Sequence, residues 1–368
     1  MADQLKTFFG PRVVGSIADD IHRVHRRFRR DAFVAEALAG LDRLELVARG
    51  GHIAEALKRH LPPDFDAAAK VLIRSLGPKL ESSETFGMEP FRYLPHVIFA
   101  ARYGLGHLEA ALRLQHELTQ RFSAEYSIRA FLEAHPEATY ARLVEWTRDP
   151  SEHVRRLVSE GSRPRLPWAP RLRAFQKDPT PVLKLLELLK DDPELYVRRS
   201  VANSLNDIGK DHPRVLVEVC RRWSRGASDE RRWIIGHALR SLVKKGDRDA
   251  LAVIGFAAAP RIRVQNVRWT ARRVRIGDKV GFTVDIASTS RRPQELLLDF
   301  RVHFVKASGT TSPKVFKIRR AVLSDVLTVS ASVSFQTLTT RRPYPGVHRF
   351  ELLVNGFAFE LGSVRVVA

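Results

Sequence analysis

Two carboxylates occupy equivalent places in the chain, each in the predicted last turn of a helix and shortly before a glycine. Glu160 precedes Gly161 directly, and Asp207 precedes Gly209 by two residues. We expect Gly161 to end its helix in the left-handed conformation. An acid there faces the negative end of the helix dipole, at a cost of roughly 0.3–1 kcal/mol, and broken local rules of this kind often mark function. The alternative is a pair of solvated surface acids.

The segment after the first acid, residues 159–170, is predicted to be an ordered loop because its three prolines forbid a continuous helix. Its Trp168 either fills a gap between repeats or lies beside the carboxylates, where an indole face can hold a planar cation. If the two helices stack in parallel, their ends lie about 10 Å apart and both acids can face one pocket. Carboxylates in a pocket stabilise a developing positive charge or orient water.

A weak internal repeat predicts how these helices are arranged. The string DPSEHVRR at 149–156 recurs as DPELYVRR at 192–199, an offset of 43 residues, and a third copy, SDERRW, occupies 228–233. Periods of roughly 40–47 residues are typical of HEAT and armadillo arrays, which are built from paired helices. We therefore expect stacked helical hairpins.

The repeated valines, Val154 and Val197, are expected to be packing anchors. The arginines beside them, if they line one concave wall, form a cationic track suited to a phosphate backbone. The predicted DNA-binding set, with the two arginines of the loop, is Arg155, Arg156, Arg163, Arg165, Arg198 and Arg199.

The hydrophobic period changes near residue 260. Before it, apolar residues recur every three or four positions, whereas after it they alternate, as in Val280, Phe282, Val284 and Ile286. Seven or eight strands in 261–368 fit an immunoglobulin-type sandwich without its disulfide. The predicted fold is multidomain: an all-α HEAT-like repeat superhelix at 1–258, followed by an all-β immunoglobulin-like sandwich at 261–368.

The formal net charge is +21, and residues 261–368 hold 19 Lys and Arg against 7 Asp and Glu. Such a field favours polyanions, so nucleic acid is the expected partner. A solubilising, arginine-rich surface is the alternative.

The single cysteine, Cys220, excludes an intramolecular disulfide and a four-cysteine iron–sulfur cluster, and the 13 histidines show no zinc-ligand spacing. We expect no metal and no cofactor. Since no apolar run reaches about 18 residues and no leader pattern opens the chain, we expect no membrane contact. The expected location is the cytoplasm, with association to the bacterial nucleoid through DNA, and the expected state is a monomer.

Three strings resemble the AlkC branch of the DNA alkylation repair glycosylases: FSAEYSIRAF at 122–131, EGSRPRLPW at 160–168 and VRRSVANSLND at 197–207. One branch of that family carries a C-terminal immunoglobulin-like domain, so the resemblance covers nearly the whole chain. The related AlkD branch lacks that domain.

The resemblance implies a DNA glycosylase that removes 3-methyladenine and 3-methylcytosine from double-stranded DNA. It further implies that there is no covalent lyase step and no full extrusion of the base. Glu125, Glu160 and Asp207 would be the active-site acids, and Trp168 would contact the base or the sugar. For Glu125 the residues alone give a structural interpretation, because an acid behind the Ser123 cap is favoured in the first turn of a helix.

Two other functions fit the same pattern. A non-enzymatic HEAT scaffold would bind DNA or RNA through the basic track while its acids face solvent, and excision by the purified protein separates this from a glycosylase. A protein–protein adaptor would present a concave surface to peptides, without strongly salt-dependent binding to duplex DNA.

Overall fold

The computed structural model describes residues 5–81, 87–338 and 342–368. Within these ranges helices come first and strands follow, as predicted, because the last helix ends at Val253 and the first strand begins at Ile262. The chain divides into two compact units. The helical unit is Met1–His212 with Ser228–Ala238, and the sandwich unit is Pro213–Ala227 with Leu239–Ala368. The domain bounds 1–258 and 261–368 stay a prediction.

Most of the helices are short. Their bounds are α1 Pro11–Val24, α2 Arg30–Leu38, α3 Leu46–His60, α4 Phe65–Ser75, α5 Leu94–Tyr103, α6 Leu108–Thr119, α7 Ser127–Ala134, α8 Pro136–Trp146, α9 Glu152–Gly161, α10 Arg173–Lys177, α11 Thr180–Leu189, α12 Leu195–Asp211, α13 Pro213–Trp223, α14 Asp229–Lys245 and α15 Arg248–Val253. Short 3₁₀ segments lie at Leu5–Phe8, Leu41–Arg43 and Glu89–Tyr93.

The internal repeat is a structural one. α9 and α12 each follow an Asp-Pro turn in which the aspartate accepts a backbone N–H two residues on, from Ser151 to Asp149 at 2.8 Å and from Glu194 to Asp192 at 2.9 Å. The repeated valines, Val154 and Val197, are fully buried, so their prediction as packing anchors is confirmed. The helices that carry the two predicted acids therefore begin in the same way and pack against each other.

The sandwich unit holds eight strands among its described residues: β1 Ile262–Trp269, β2 Arg273–Arg275, β3 Lys279–Ser288, β4 Gln294–Val305, β5 Thr311–Leu323, β6 Val326–Ser334, β7 Gly346–Val354 and β8 Phe357–Val367. They form a three-stranded sheet in the order β1-β3-β6 and a five-stranded sheet in the order β2-β8-β7-β4-β5. The alternating apolar residues of β3, β4, β6 and β7 form the core between the sheets. The predicted sandwich is confirmed.

The turn between β7 and β8 shows why the sequence folds this way locally. Asn355 and Gly356 both have positive φ, at 51° and 78°, and the flanking residues Val354 and Phe357 pair directly. A two-residue hairpin of this type needs left-handed backbone at both central positions, which Asn-Gly supplies at little cost.

Asp192 links one repeat to the next. Besides its turn contact, its buried carboxylate accepts hydrogen bonds from Arg155 Nε at 2.6 Å and Nη2 at 3.2 Å. Asp192→Ala leaves the part-buried guanidinium group of Arg155 without its carboxylate partner, so we expect a loss of roughly 1.5–3 kcal/mol in the free energy of unfolding by urea. The neighbouring Asp191 pairs with Arg231 but is half exposed. Asp191→Ala should cost at most about 1 kcal/mol. Equal losses in the two variants would contradict the link.

Candidate active site

Glu160 lies in the last turn of α9, and that helix includes Gly161. The predicted left-handed conformation of Gly161 is wrong, because its φ is not positive and the residue after the helix is Ser162, with φ −86°. Glycine is required there for a different reason. A Cβ on Gly161 would lie 2.4 Å from Cγ2 of Ile128 on α7, so only glycine allows α7 to approach the end of α9 this closely.

α12 also continues past its glycine. It ends at Asp211, so Asp207 lies one turn before the end, and the expectation that the helix closes at Gly209 is wrong. This extra turn places two acids, Asp207 and Asp211, four residues apart on one face of α12. Both bind arginines of the loop that follows α9.

Arg163 joins the two repeats at the level of the predicted acids. Its Nη1 donates to Glu160 Oε1 at 2.5 Å and its Nε donates to Asp207 Oδ2 at 2.8 Å. All three side chains are buried. The acids therefore meet through one guanidinium group, and we call Glu160, Arg163 and Asp207 the acid–arginine cluster.

The second arginine of the loop makes a parallel contact one turn further along α12. Arg165 Nε and Nη2 donate to Asp211 Oδ2 and Oδ1 at 2.8 and 2.5 Å. This hydrogen bonding holds the pKa of Asp211 below its usual range. Arg163 and Arg165 thus fasten the loop to α12, and their predicted contacts with DNA phosphates stay a prediction.

Glu160 is kept ionised although it is buried. Burial raises the pKa of its carboxyl, but the charges of Arg156 and Arg163 and the hydrogen bond from Ser200 outweigh burial and lower the pKa below its usual value. Ser200 Oγ, on α12, donates to Glu160 Oε2 at 2.6 Å. A carboxylate in this state has no proton to donate, so it acts as a fixed negative charge.

Glu125 lies in the turn before α7 and not within the helix, so its predicted place in a first helical turn is wrong. Its Oε2 accepts a hydrogen bond from Ser123 Oγ at 2.9 Å and pairs with Arg156 Nη1 at 2.8 Å. Arg156 Nη2 lies 3.7 Å from Glu160 Oε2, and the guanidinium group lies over the ring of Tyr196. Arg156 therefore connects Glu125 to the acid–arginine cluster.

A cleft of about 320 Å³ opens beside Glu125. One wall is apolar and is formed by Leu46, Val47, Phe91, Leu94, Val97 and Ile98. The other side carries the polar groups of the site together with apolar residues, and its lining is Phe122, Ser123, Glu125, Tyr126, Arg156, Leu166, Pro167, Trp168, Ala169 and Tyr196. Glu125 is the predicted acid that lines the cleft, while Glu160 and Asp207 lie behind Arg156 and Arg163. The two buried acids do not themselves line this cleft.

Trp168 is held in a strained conformation on the surface. Its φ is +62°, which a bulky side chain rarely adopts, and its exposure is 91%. An indole at this exposure does not fill a gap between repeats, so the packing alternative for Trp168 is excluded. Strain of this kind persists only where the surrounding structure imposes it, and it is common at ligand sites.

Two of the repeated arginines, Arg155 and Arg198, bind backbone groups of their own repeats. Nη1 of Arg155 donates to the carbonyl oxygens of Asp149 and Pro150, and Nη1 of Arg198 donates to those of Asp192 and Pro193. These two side chains brace the Asp-Pro turns of their own repeats.

Arg199 is the exposed member of the predicted DNA-binding set. No other side chain or backbone group in the described ranges pairs with its guanidinium group, which leaves it available to a phosphate. That role stays a prediction.

Sequence reasoning missed Arg129, Ser200 and Tyr196. Ser200 and Tyr196 lie inside the repeat, in positions that a pattern of valines and arginines does not single out. Arg129 lies in the string at 122–131 that carries the family resemblance, and this was the available signal.

In ranges 5–81, 87–338 and 342–368, no three His, Cys, Asp or Glu side chains come together as a metal site requires. In the same ranges, no helix combines the length and hydropathy needed to cross a bilayer. The predicted absence of a metal and a cofactor stays a prediction.

Comparisons with known proteins cover both units. Residues 263–368 match the family model for the C-terminal Ig-like domain of the uncharacterised protein YhaZ. The uncharacterized protein YhaZ of Bacillus subtilis (strain 168) is 35% identical over 362 residues, which span 97% of each chain. A solved structure of the Pseudomonas fluorescens alkylpurine DNA glycosylase AlkC, bound to DNA containing an abasic-site analog, is 34% identical, covers 99% of each chain and superposes with a TM-score of 0.91.

Helical repeats followed by an immunoglobulin-like sandwich, matched over 99% of both chains at 34% identity, identify this chain as a member of the DNA alkylation repair family. The chain belongs to the AlkC branch of that family, the branch with a C-terminal immunoglobulin-like domain.

The strain at Trp168 can be tested by thermodynamics. Trp168→Gly removes a conformational strain of roughly 1–3 kcal/mol and loses little buried surface, while the glycine makes the unfolded chain more flexible by roughly 0.5–1 kcal/mol. We expect the free energy of unfolding by urea to stay the same or to rise. Trp146 is buried, and Trp146→Gly as a control should cost several kcal/mol. A loss at Trp168 as large as at Trp146 would show that the indole packs the fold.

Proposed function

We propose that this chain is a monofunctional DNA glycosylase of base excision repair. It hydrolyses the N-glycosidic bond of cationic alkylated bases, 3-methyladenine and 3-methylcytosine, in double-stranded DNA, without full extrusion of the base. The observation that carries the proposal is the set of carboxylates paired with arginines, Glu160 and Asp207 on Arg163 and Glu125 on Arg156, beside an open cleft.

The relatives support this function independently of the geometry. The Pseudomonas fluorescens protein, a glycosylase bound to abasic DNA, has the same fold over 99% of both chains at 34% identity. The net charge of +21 favours binding to a polyanion such as DNA.

The residue types suit the chemistry of a cationic leaving group. Methylation at N3 gives the base a positive charge, so the glycosidic bond breaks without protonation of the base. The sugar then develops oxocarbenium character, which nearby carboxylates stabilise. Glu160 is held ionised and cannot serve as a general acid. A neutral base, which needs such an acid, would gain little here, and this supplies selectivity.

Basic partners balance the charges of the three carboxylates, and this limits how the acids can stabilise a cation. Arg156, Arg163 and Lys210 pair with the three carboxylates, so the site has no large net negative charge to attract a cation from a distance. Stabilisation therefore comes from oriented charges close to the sugar. Both oxygens of Glu160 and of Asp207 have protein partners.

The contacts of Glu125 support a role in positioning water. Its Oε2 is bound by Ser123 and Arg156, whereas its Oε1 has no partner among the residues that the structure describes. Because Glu125 lines the cleft and is part exposed, this oxygen can accept a hydrogen bond from a water molecule. In the proposed division of labour, Glu160 and Asp207 stabilise the sugar cation and Glu125 positions the nucleophilic water.

Charge-neutralising substitutions test the proposal. Incubation of duplex DNA containing 3-methylcytosine with the wild-type protein should yield abasic sites. Glu160→Gln, Asp207→Asn and Glu125→Gln should each lower single-turnover excision by ~100-fold or more. The first two variants remove a charge that stabilises the sugar cation, and the third weakens the group that positions water. Duplex affinity should stay within about threefold of wild type.

The matched control is Asp66→Asn, an exposed carboxylate that pairs with His107 outside the cleft. It should excise at the wild-type rate. Full activity in one of the three site variants would remove that residue from the mechanism. Strong duplex binding by a wild-type protein that forms no abasic sites would favour the non-enzymatic scaffold.

The reaction should stop at an intact abasic site. A lyase needs a free amine to form a Schiff base with the sugar. Among the described residues, the lysine in contact with the acids is Lys210, whose Nζ donates to Asp207 Oδ1 at 2.8 Å. An ammonium group in such an ion pair has no lone pair for attack, so water is the expected nucleophile.

Incubation of lesion DNA with the protein and borohydride should therefore trap no covalent adduct. An adduct that forms with wild type and disappears in Lys210→Met would overturn the water mechanism, and with it the role proposed for Glu125. Lys184→Met, a lysine on α11, serves as the control in that experiment.

A further inference from the structure

Arg129 is a buried guanidinium group that has no carboxylate partner among the residues that the structure describes. It lies on α7, is 3% exposed, and makes its hydrogen bonds with backbone carbonyl oxygens. Nη1 donates to Gly161 O at 2.9 Å and to Arg163 O at 2.7 Å, and Nε donates to Pro170 O at 3.1 Å. Nη2 also donates to Pro170 O. Burial of a charge is costly, so a buried guanidinium group that binds only backbone carbonyl groups needs an explanation.

The three carbonyl groups lie at the two ends of the loop that follows α9. Gly161 O is at the C-terminal end of α9, Arg163 carries the guanidinium group shared by Glu160 and Asp207, and Pro170 closes the loop after Trp168. One side chain thus ties the beginning and the end of this loop together. The loop has no regular secondary structure of its own to do so.

The close approach of α7 makes these contacts possible. Ile128, next to Arg129 in sequence, occupies the space that a Cβ at residue 161 would need. Gly161 O is among the last carbonyls of α9, which have no partner inside the helix and lie at the negative end of its dipole. A cation there stabilises the helix end and offsets the unfavourable placement of Glu160 in the same turn.

We propose that Arg129 is a positioning residue for excision: it fixes the loop of residues 162–170 so that Arg163 orients the two buried acids and Trp168 keeps its strained, exposed conformation. Its assignment to excision rests on the proposed glycosylase function, while its hold on the loop does not. Burial lowers the pKa of Arg129 to about 10, so the group is still protonated at neutral pH and donates every hydrogen bond named here.

Arg49 offers a matched control. It is likewise buried, at 8% exposure, and donates to the backbone carbonyl oxygens of Lys6, Phe9, Asp42 and Leu44. It lies on α3, and none of these contacts involves the loop. Arg49→Met and Arg129→Met therefore remove chemically similar groups, and only the second should disturb the loop.

The experiment compares wild type, Arg129→Met, Arg129→Lys and Arg49→Met in the full-length protein. Loop order is followed by trypsin cleavage after Arg165, since Arg163 is protected by the following Pro164. Function is followed as single-turnover excision from a 3-methylcytosine duplex, with duplex affinity measured separately. All assays are run well below the melting temperatures of the variants, which circular dichroism gives.

We expect Arg129→Met to be cleaved after Arg165 faster than wild type and to excise more slowly by ~10–100-fold, as small displacements of reacting groups do, with duplex affinity changed far less. Arg129→Lys keeps the charge but not the fork of donors, so intermediate values are expected. Arg49→Met should match wild type in cleavage and excision, even with a lowered melting temperature.

Wild-type cleavage and excision in Arg129→Met would overturn the proposal, and so would equal changes in Arg49→Met. If Arg129→Met does not fold, Arg129→Lys carries the same comparison. A wild-type protein that forms no abasic sites would refute the glycosylase function, and the trypsin comparison would still decide whether Arg129 holds the loop.

Discussion

The guanidinium group of Arg163 is the contact on which the rest of the site depends. It is buried between Glu160, from one repeat, and Asp207, from the next, and it donates to both at 2.5 and 2.8 Å. Each of these charges alone would be costly to bury, whereas here each has a hydrogen-bonded partner of opposite charge. Removal of any one leaves an uncompensated charge at the junction of α9 and α12. The same ion pairs therefore hold the carboxylates that the proposed chemistry requires and join the two neighbouring repeats.

The repeat architecture brings the cluster together. Because α9 and α12 begin in equivalent Asp-Pro turns 43 residues apart, they stack side by side, and Ser159 Oγ donates to Ser200 Oγ at 2.6 Å at their contact. Gly161 lets α7 close over the end of α9, and α7 supplies Arg129 to the loop. The turn before α7 supplies Glu125 at the cleft. Three helices that are separated in sequence thus place three acids around one loop.

The sequence predicted the helices, the strands and two of the acids. It failed where the local structure depends on contacts with residues distant in sequence. Periodicity predicted the helices and the strands, and two acids before glycines marked Glu160 and Asp207. The expected left-handed Gly161 was wrong because the cause is steric and comes from Ile128, 33 residues earlier in the chain. Whether an arginine such as Arg163 or Arg155 faces a phosphate or a carboxylate is not encoded locally. It depends on Asp207 and Asp192, which only the stacked repeats bring near.

The most direct measurement is the pH dependence of single-turnover excision in Arg163→Gln relative to wild type, from about pH 5 to about pH 8. Burial raises the pKa of Glu160, and Arg156 and Arg163 lower it below its usual value, so wild-type Glu160 stays ionised over this range. Without Arg163 the pKa of Glu160 rises, and the carboxylate is protonated as the pH falls. The account predicts a ratio of variant to wild-type rates that is low throughout and falls further toward acidic pH. A ratio that stays near one, or that does not change with pH, would contradict the dependence of the site on this ion pair.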